Sequence, residues 1–124
     1  MEIVSILLVE DEELFARALE TKLAAAGYRV TRARDGKEAL RFFDSQTVSV
    51  VLIDLTRFEQ ESLELIAEFR RINPAVKTIA MSGGGMVEAQ FYLSLARRFG
   101  AIQTLVKPFS VDKLLVAIRS VLKS

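Results

Sequence analysis

Asp54 closes the apolar run VVLI at residues 50–53 and is followed by Leu55. A carboxylate in such a setting is uncommon unless a cation or a hydrogen-bond donor offsets its desolvation. Three other places carry side chains that could act with it. Glu10, Asp11, Glu12 and Glu13 follow the apolar run IVSILLV at residues 3–9, Ser82 precedes three glycines, and Lys107 precedes Pro108. The chain has no histidine and no cysteine. That excludes a serine–histidine triad, a thiol nucleophile, a histidine proton shuttle and a zinc site of nitrogen and sulfur ligands. Any chemistry runs on carboxylates, lysines, hydroxyls or backbone groups.

The elements that must hold these residues are legible from periodicity. Strand-length apolar runs at residues 3–9, 28–33, 48–53, 76–81 and 102–106 alternate with stretches whose apolar residues recur at helical spacing. Leu14, Leu19, Leu23 and Ala26 mark the first helix, Ala39, Leu40 and Phe43 the second, and Leu63, Ile66 and Ala67 the third. Residues 88–99 and 111–122 form the fourth and fifth. Gly27 and Gly100 supply stops past the first and fourth helices. Asn73 before Pro74 ends the third, because proline disfavours helical geometry in the residue ahead of it. The pattern is (βα)5, which predicts an α/β fold: a doubly wound parallel five-stranded sheet, order 2-1-3-4-5, with right-handed crossovers and helices on both faces. In such sheets ligands bind beyond the carboxyl ends of the strands, at the switch between strands one and three.

That topology sends Glu10, Asp11, Asp54, Ser82 and Lys107 to one edge, since each follows a strand. Singly, each has an ordinary structural reading: Asp11 as a helix N-cap, Ser82 as a turn residue, Lys107 as a solvated surface lysine. The set is more specific than its members. Two carboxylates such as Asp11 and Asp54, about 5 Å apart on adjacent strands, repel by roughly 3 kcal/mol at an effective dielectric of about 20, so a dication or an ammonium is required. Lys107 is the lysine placed to supply the ammonium, and magnesium suits a hard site with few carboxylates and retained water. What remains is an aspartate able to act as nucleophile toward a phosphoryl group, with a metal, a hydroxyl and a lysine to hold its oxygens.

At this point the chain resembles the receiver domains of two-component response regulators, in the single-domain form of the chemotaxis regulator. The resemblance covers essentially the whole chain. It rests on LLVEDE at residues 7–12, VVLIDL at 50–55, AMSGGG at 80–85 and GAIQTLVKPF at 100–109. It implies a flavodoxin-like receiver fold over residues 1–124 with no output domain. It also implies a phosphoaspartate switch in which Asp54 accepts phosphate from the phosphohistidine of a histidine kinase or phosphotransfer protein. By the same resemblance Asp11, Asp54 and the backbone carbonyl of Thr56 ligate Mg2+, with Glu10 contributing through water. Lys107 contacts the phosphoryl group, Ser82 hydrogen-bonds it and shifts toward it, and Pro108 follows a cis peptide bond. The chain is then a phosphoryl acceptor that promotes its own phosphorylation and dephosphorylation rather than an enzyme acting on a separate substrate.

Three departures from the family pattern stand out. Phe58 and Ser62 occupy positions where the family carries proline and glycine, so the loop after strand three is expected to differ in shape. Thr104 stands where the family has a switching aromatic. Residues 83–85 (GGG) free the backbone beside Ser82, and the stretch 82–100 is longer than usual by about one helical turn; this loop is a candidate to carry the switch, a loose turn being the alternative. On the fourth helix Ala89, Leu93 and Ala96 share one side, with Phe91 and Leu95 roughly opposite. One face covers the sheet. The other is expected to pack on a neighbouring helix, the alternative being a docking surface for a downstream protein on helix four and strand five.

Composition bounds the remaining functions. With 124 residues, 51% of them hydrophobic and 27% charged, the chain fits one domain, and at that length it buries roughly two-thirds of its unfolded surface. A net charge of +1 without a basic run gives no support for nucleic-acid capture. No apolar stretch is long enough to span a bilayer, and the early acids break a secretory signal pattern, which makes the cytoplasm the expected location. Two rival readings remain. One is a phosphorylation-independent pseudo-receiver acting as an interaction module, against which the Asp11, Asp54, Ser82 and Lys107 set argues. The other is a nucleotide- or flavin-binding enzyme of the same topology, which would want a glycine-rich turn where Glu10 to Glu13 stand.

Overall fold

The computed structural model describes residues 2–56 and 59–124. Five strands and five helices alternate along the chain: β1 (Ser5–Val9), α1 (Glu13–Ala25), β2 (Arg29–Ala33), α2 (Gly36–Ser45), β3 (Val50–Asp54), α3 (Glu59–Ile72), β4 (Lys77–Ser82), α4 (Met86–Phe99), β5 (Gln103–Val106) and α5 (Val111–Leu122). All strand pairs are parallel and the order is β2-β1-β3-β4-β5. The predicted doubly wound sheet is therefore the observed one.

Alternation along the strands divides the core in two. Leu7, Val9, Val51, Ile53 and Ala80 point to the layer that also holds Phe43, Ile66, Phe69 and Leu93 from α2, α3 and α4. Ile6, Leu8, Val50, Leu52, Ile79, Met81 and Leu105 point to the layer closed by α1 and α5. Every residue of β3 is buried, as expected for a central parallel strand covered on both faces. Each fully buried leucine or isoleucine contributes about 1.5–3 kcal/mol relative to exposure, so the strand that ends in Asp54 is the best anchored element of the sheet.

Register brings the carboxyl ends level. Val9 lies beside both Ala33 and Ile53, Asp54 beside Met81, and Ser82 beside Val106. Strand one starts at Ser5 rather than residue 3, because Ile3 is exposed beyond the sheet. Strand three starts at Val50 rather than residue 48, and Asp54 and Ser82 are the last residues of their strands rather than the first residues of loops. Helix four begins at Met86, two residues before the expected start, directly after Gly84 and Gly85 at φ +87° and +109°. A side chain rarely adopts that backbone region, so glycine is what lets the chain turn from β4 into α4 within three residues.

At two places one of the alternative readings falls. The N-cap of α1 is Glu12, whose carboxylate accepts from the Leu14 and Phe15 amides at 3.3 and 2.7 Å. Asp11 lies one residue ahead and is not the cap. On α4, Ala89, Leu93 and Ala96 face the sheet as expected. Phe91 on the other side stands 60% exposed, its ring edge-on to Tyr92 at 5.2 Å, instead of packing on a neighbouring helix. Leu95 is half-buried at the margin of the core. Phe58, one of the two positions at which the loop after strand three was expected to differ, lies outside the described residues. Among the described residues no helix is long and apolar enough to cross a membrane.

Candidate functional site

The end of β1 delivers Glu10, which is buried although its side chain is charged at neutral pH in water. The Glu10 amide continues the strand pairing by donating to the Ala33 carbonyl at 3.0 Å. Arg32 on β2 reaches back, its Nε donating to the Glu10 carbonyl at 3.0 Å while its other arm pairs with Glu13. The β1–α1 turn is thus held from the neighbouring strand and by the Glu12 cap. Carboxylate oxygens of Glu10, Asp11 and Asp54 all lie within 4.8 Å of one another.

Lys107 crosses the site from the far side. Its amide donates to the Ser82 carbonyl at 2.8 Å, the peptide bond to Pro108 is cis, and its Nζ stands 3.0 Å from Glu10 Oε1 and 3.0 Å from Asp54 Oδ1. The ammonium also lies 4.1 Å from the centre of the Phe15 ring. Ser82 is buried one strand over and one residue beyond the Asp54–Met81 pair. Gly83 sits where an added Cβ would meet Lys107 Cβ at 3.5 Å and Thr56 Oγ1 at 4.0 Å. The residues singled out from the sequence are therefore gathered at one edge of the sheet.

Two hydroxyls complete the surroundings of Asp54. Thr56 Oγ1 donates to Asp54 Oδ1 at 2.7 Å, and Ser62 Oγ, buried on α3, donates to the Asp54 backbone carbonyl at 3.0 Å. Thr56 was expected to matter through its carbonyl, and Ser62 only as a replacement for glycine. Neither hydroxyl contact has a sequence signal of its own. Both depend on how α3 and the end of β3 meet.

Among the described residues the Lys107 ammonium stands within a cluster of three carboxylates, whose like charges crowd one another. The cost falls on Glu10: burial first, then the Asp54 charge, raise its carboxyl above the ordinary 4.5, opposed by Lys107 and by the Glu12 amide. Carboxylate oxygens clustered this tightly fit a hard dication in the manner of magnesium. A cleft of about 120 Å³ opens over the three acids and is walled by Arg34, Gly36, Ser62 and Leu65 among others. The cleft lies at the switch between β1 and β3, where doubly wound sheets bind ligands.

Fold and site together define a doubly wound α/β domain with an acidic, lysine-bridged pocket at the carboxyl edge of its sheet. A family model described as the response regulator receiver domain matches residues 6–119, and the chain belongs to that family. The transcriptional regulatory protein ZraR of Klebsiella oxytoca is 31% identical over 111 residues, which is 90% of this chain and 24% of that protein. The chain spans about a quarter of the length of the first curated relatives it matches. Among solved structures, a response regulator from Thermotoga maritima superposes with a TM-score of 0.87 at 25% identity, covering 99% of this chain and 100% of that one. A response regulator from Burkholderia pseudomallei, solved with a phosphorylated aspartic acid, a calcium ion and citrate, gives 0.81 at 27% identity over 92% and 65% of the two chains.

Proposed function

We propose that the chain is a phosphorylation-controlled signalling switch of a two-component system, with Asp54 as the phosphoryl acceptor. The observation that carries this reading is the Lys107 ammonium 3.0 Å from Asp54 Oδ1 inside a cluster of three carboxylates. An Asp54 carboxylate oxygen attacks the phosphorus of a phosphohistidine on a histidine kinase or phosphotransfer protein. The new O–P bond makes an acyl phosphate on Asp54, and the P–N bond breaks, returning its electron pair to the donor imidazole. This division of labour suits a chain with no histidine of its own. The phosphorylated aspartic acid and calcium ion of the Burkholderia pseudomallei neighbour support the same assignment.

Each neighbour of Asp54 has a task in that transfer. Lys107, already bonded to the acceptor carboxylate, is placed to follow the charge onto the phosphoryl oxygens. Ser82 supplies a hydroxyl from the adjacent strand end. Glu10, Asp11, Asp54 and the Thr56 carbonyl would hold Mg2+, Glu10 through water. When bound, the ion neutralises charge on the phosphoryl group and offsets the repulsion within the acid cluster.

Output runs through protein contacts, on the exposed side of α4 at Phe91 and on β5, in the cytoplasm where the kinase acts. The test is intact mass after incubation with magnesium and acetyl phosphate, for the wild type and Asp54→Asn. A gain of one phosphate that the variant lacks is expected. No gain from acetyl phosphate or from any histidine kinase would overturn the reading in favour of an interaction module without phosphorylation.

A further inference from the structure

Among the described residues the Lys107 ammonium has three charged or aromatic partners, and the phosphoryl acceptor is only one of them. Two are the carboxylates of Glu10 and Asp54, and the third is the face of the Phe15 ring, 4.1 Å from Nζ to the ring centre. A cation over an aromatic face is held by the ring's quadrupole, the more so where water is excluded. Lys107 is only about one-fifth exposed. The ring itself is fixed on two sides. Its backbone amide is bonded to the Glu12 cap at 2.7 Å, and its edge meets Phe109, two residues past Lys107, at a centroid distance of 6.0 Å and an interplanar angle of 78°.

We infer that Phe15 is a positioning residue for Lys107, holding the ammonium at the acceptor site by its ring face. The inference rests on the phosphoacceptor reading of Asp54 and assigns the residue that keeps its lysine aimed. The physical reason is a change in partners during the transfer. Once Asp54 is esterified by phosphate its carboxylate no longer carries the charge that held Lys107 at 3.0 Å. The Phe15 face does not change through the reaction. A lysine on a flexible four-carbon stem, left with fewer partners, samples many rotamers. The ring restricts that sampling at the moment when Nζ must find a phosphoryl oxygen.

Phe15→Leu keeps the apolar bulk and removes the quadrupole, whereas Phe15→Tyr keeps the face. Two readouts are taken. The first is the NMR signal of the Lys107 ε-methylene in the unphosphorylated, metal-free protein, displaced upfield by the ring current in the wild type and in Phe15→Tyr and returned to the ordinary lysine position in Phe15→Leu. The second is the initial rate of phosphate uptake from acetyl phosphate with magnesium. Phe15→Leu should slow it by about fivefold, with Phe15→Tyr within about twofold of wild type. A merely structural ring would leave Tyr and Leu alike, and thermal unfolding of both variants shows that each is folded. The inference is overturned if Phe15→Leu keeps the displaced lysine signal, or if it matches the wild-type rate. A wild type that takes up no phosphate defeats the switch reading instead, and the lysine signal still decides the role of Phe15.

Discussion

The buried hydroxyl of Ser62 donates to the backbone carbonyl of Asp54 at 3.0 Å, which ties the first turn of α3 to the residue at the end of β3. A glycine at this position, as the family carries, has no side chain to make the bond. Removing the hydroxyl leaves a carbonyl in a buried place without this donor, a change that costs about 1–3 kcal/mol. Ser62→Ala should therefore lower the unfolding temperature by several degrees and slow phosphate uptake by loosening Asp54. Ser62→Gly should lose more, by about 1 kcal/mol, through its weak helix propensity. Thermal unfolding of the two variants checks both, and an unchanged Ser62→Ala would show that the bond contributes nothing.

Glu10 makes stability depend on pH with a definite sign. Folding raises its carboxyl above 4.5, mainly through burial, so the native state binds this proton more tightly than the unfolded chain. The ionised form then costs stability. That cost is absent below the ordinary value, grows as pH rises through the window between 4.5 and the raised native value, and is complete above it. Without divalent cations, Glu10→Gln should melt above the wild type at neutral pH, with the difference closing at about pH 4. Melting curves against pH give the test, and a difference that widens toward acid would reverse the sign.

Thr56 Oγ1 occupies Asp54 Oδ1 at 2.7 Å. A hydrogen bond to a nucleophilic oxygen lowers its reactivity, and it must be broken or rearranged for that oxygen to attack. Thr56→Val keeps the shape and removes the donor. Its initial rate of phosphate uptake should rise by about fivefold, the equivalent of one ordinary hydrogen bond. Single-turnover kinetics with acetyl phosphate measure it, and a slower variant would assign the hydroxyl a helping role.

Thr104 cannot swing a ring, and in this structure its hydroxyl accepts from Arg97 of α4 at 3.3 Å while the same guanidinium reaches the Ile102 carbonyl at 3.4 Å. The glycine loop at 83–85 joins β4 to that helix, with Gly83 close to both Lys107 and Thr56. On adding beryllium fluoride and magnesium, the amide signals of residues 83–85 and of Thr104 should shift together. Unmoved loop amides would remove the loop from the switch.

The fold was readable from the chain because the signals that decide it are local. Alternating and continuous apolar runs, helical spacing, Gly27, Gly100 and Pro74 each act within a few residues, and the parallel order then follows from crossover handedness. Asp54 was legible for the same reason, as a carboxylate closing a run of buried apolar residues. The ordinary reading of Asp11 as the helix cap falls to Glu12, because four acids stand in a row and only the φ, ψ path of the turn chooses among them. Phe91 was expected to pack because the helical wheel gives a face without its surroundings, and its exposure depends on what lies beside α4.

By itself, then, the sequence determined the doubly wound architecture and the set Glu10, Asp11, Asp54, Ser82 and Lys107, since burial patterns and strand ends are properties of neighbouring residues. Tertiary structure alone decided the pairings: Lys107 bridging Glu10 and Asp54, Phe15 beneath its ammonium, Arg32 on the Glu10 carbonyl, Ser62 on the Asp54 carbonyl and Arg97 on Thr104. Most of these join residues far apart in the chain. Which side chain meets which is set by strand register, helix rotation and rotamer, and a sequence read a few residues at a time carries none of the three.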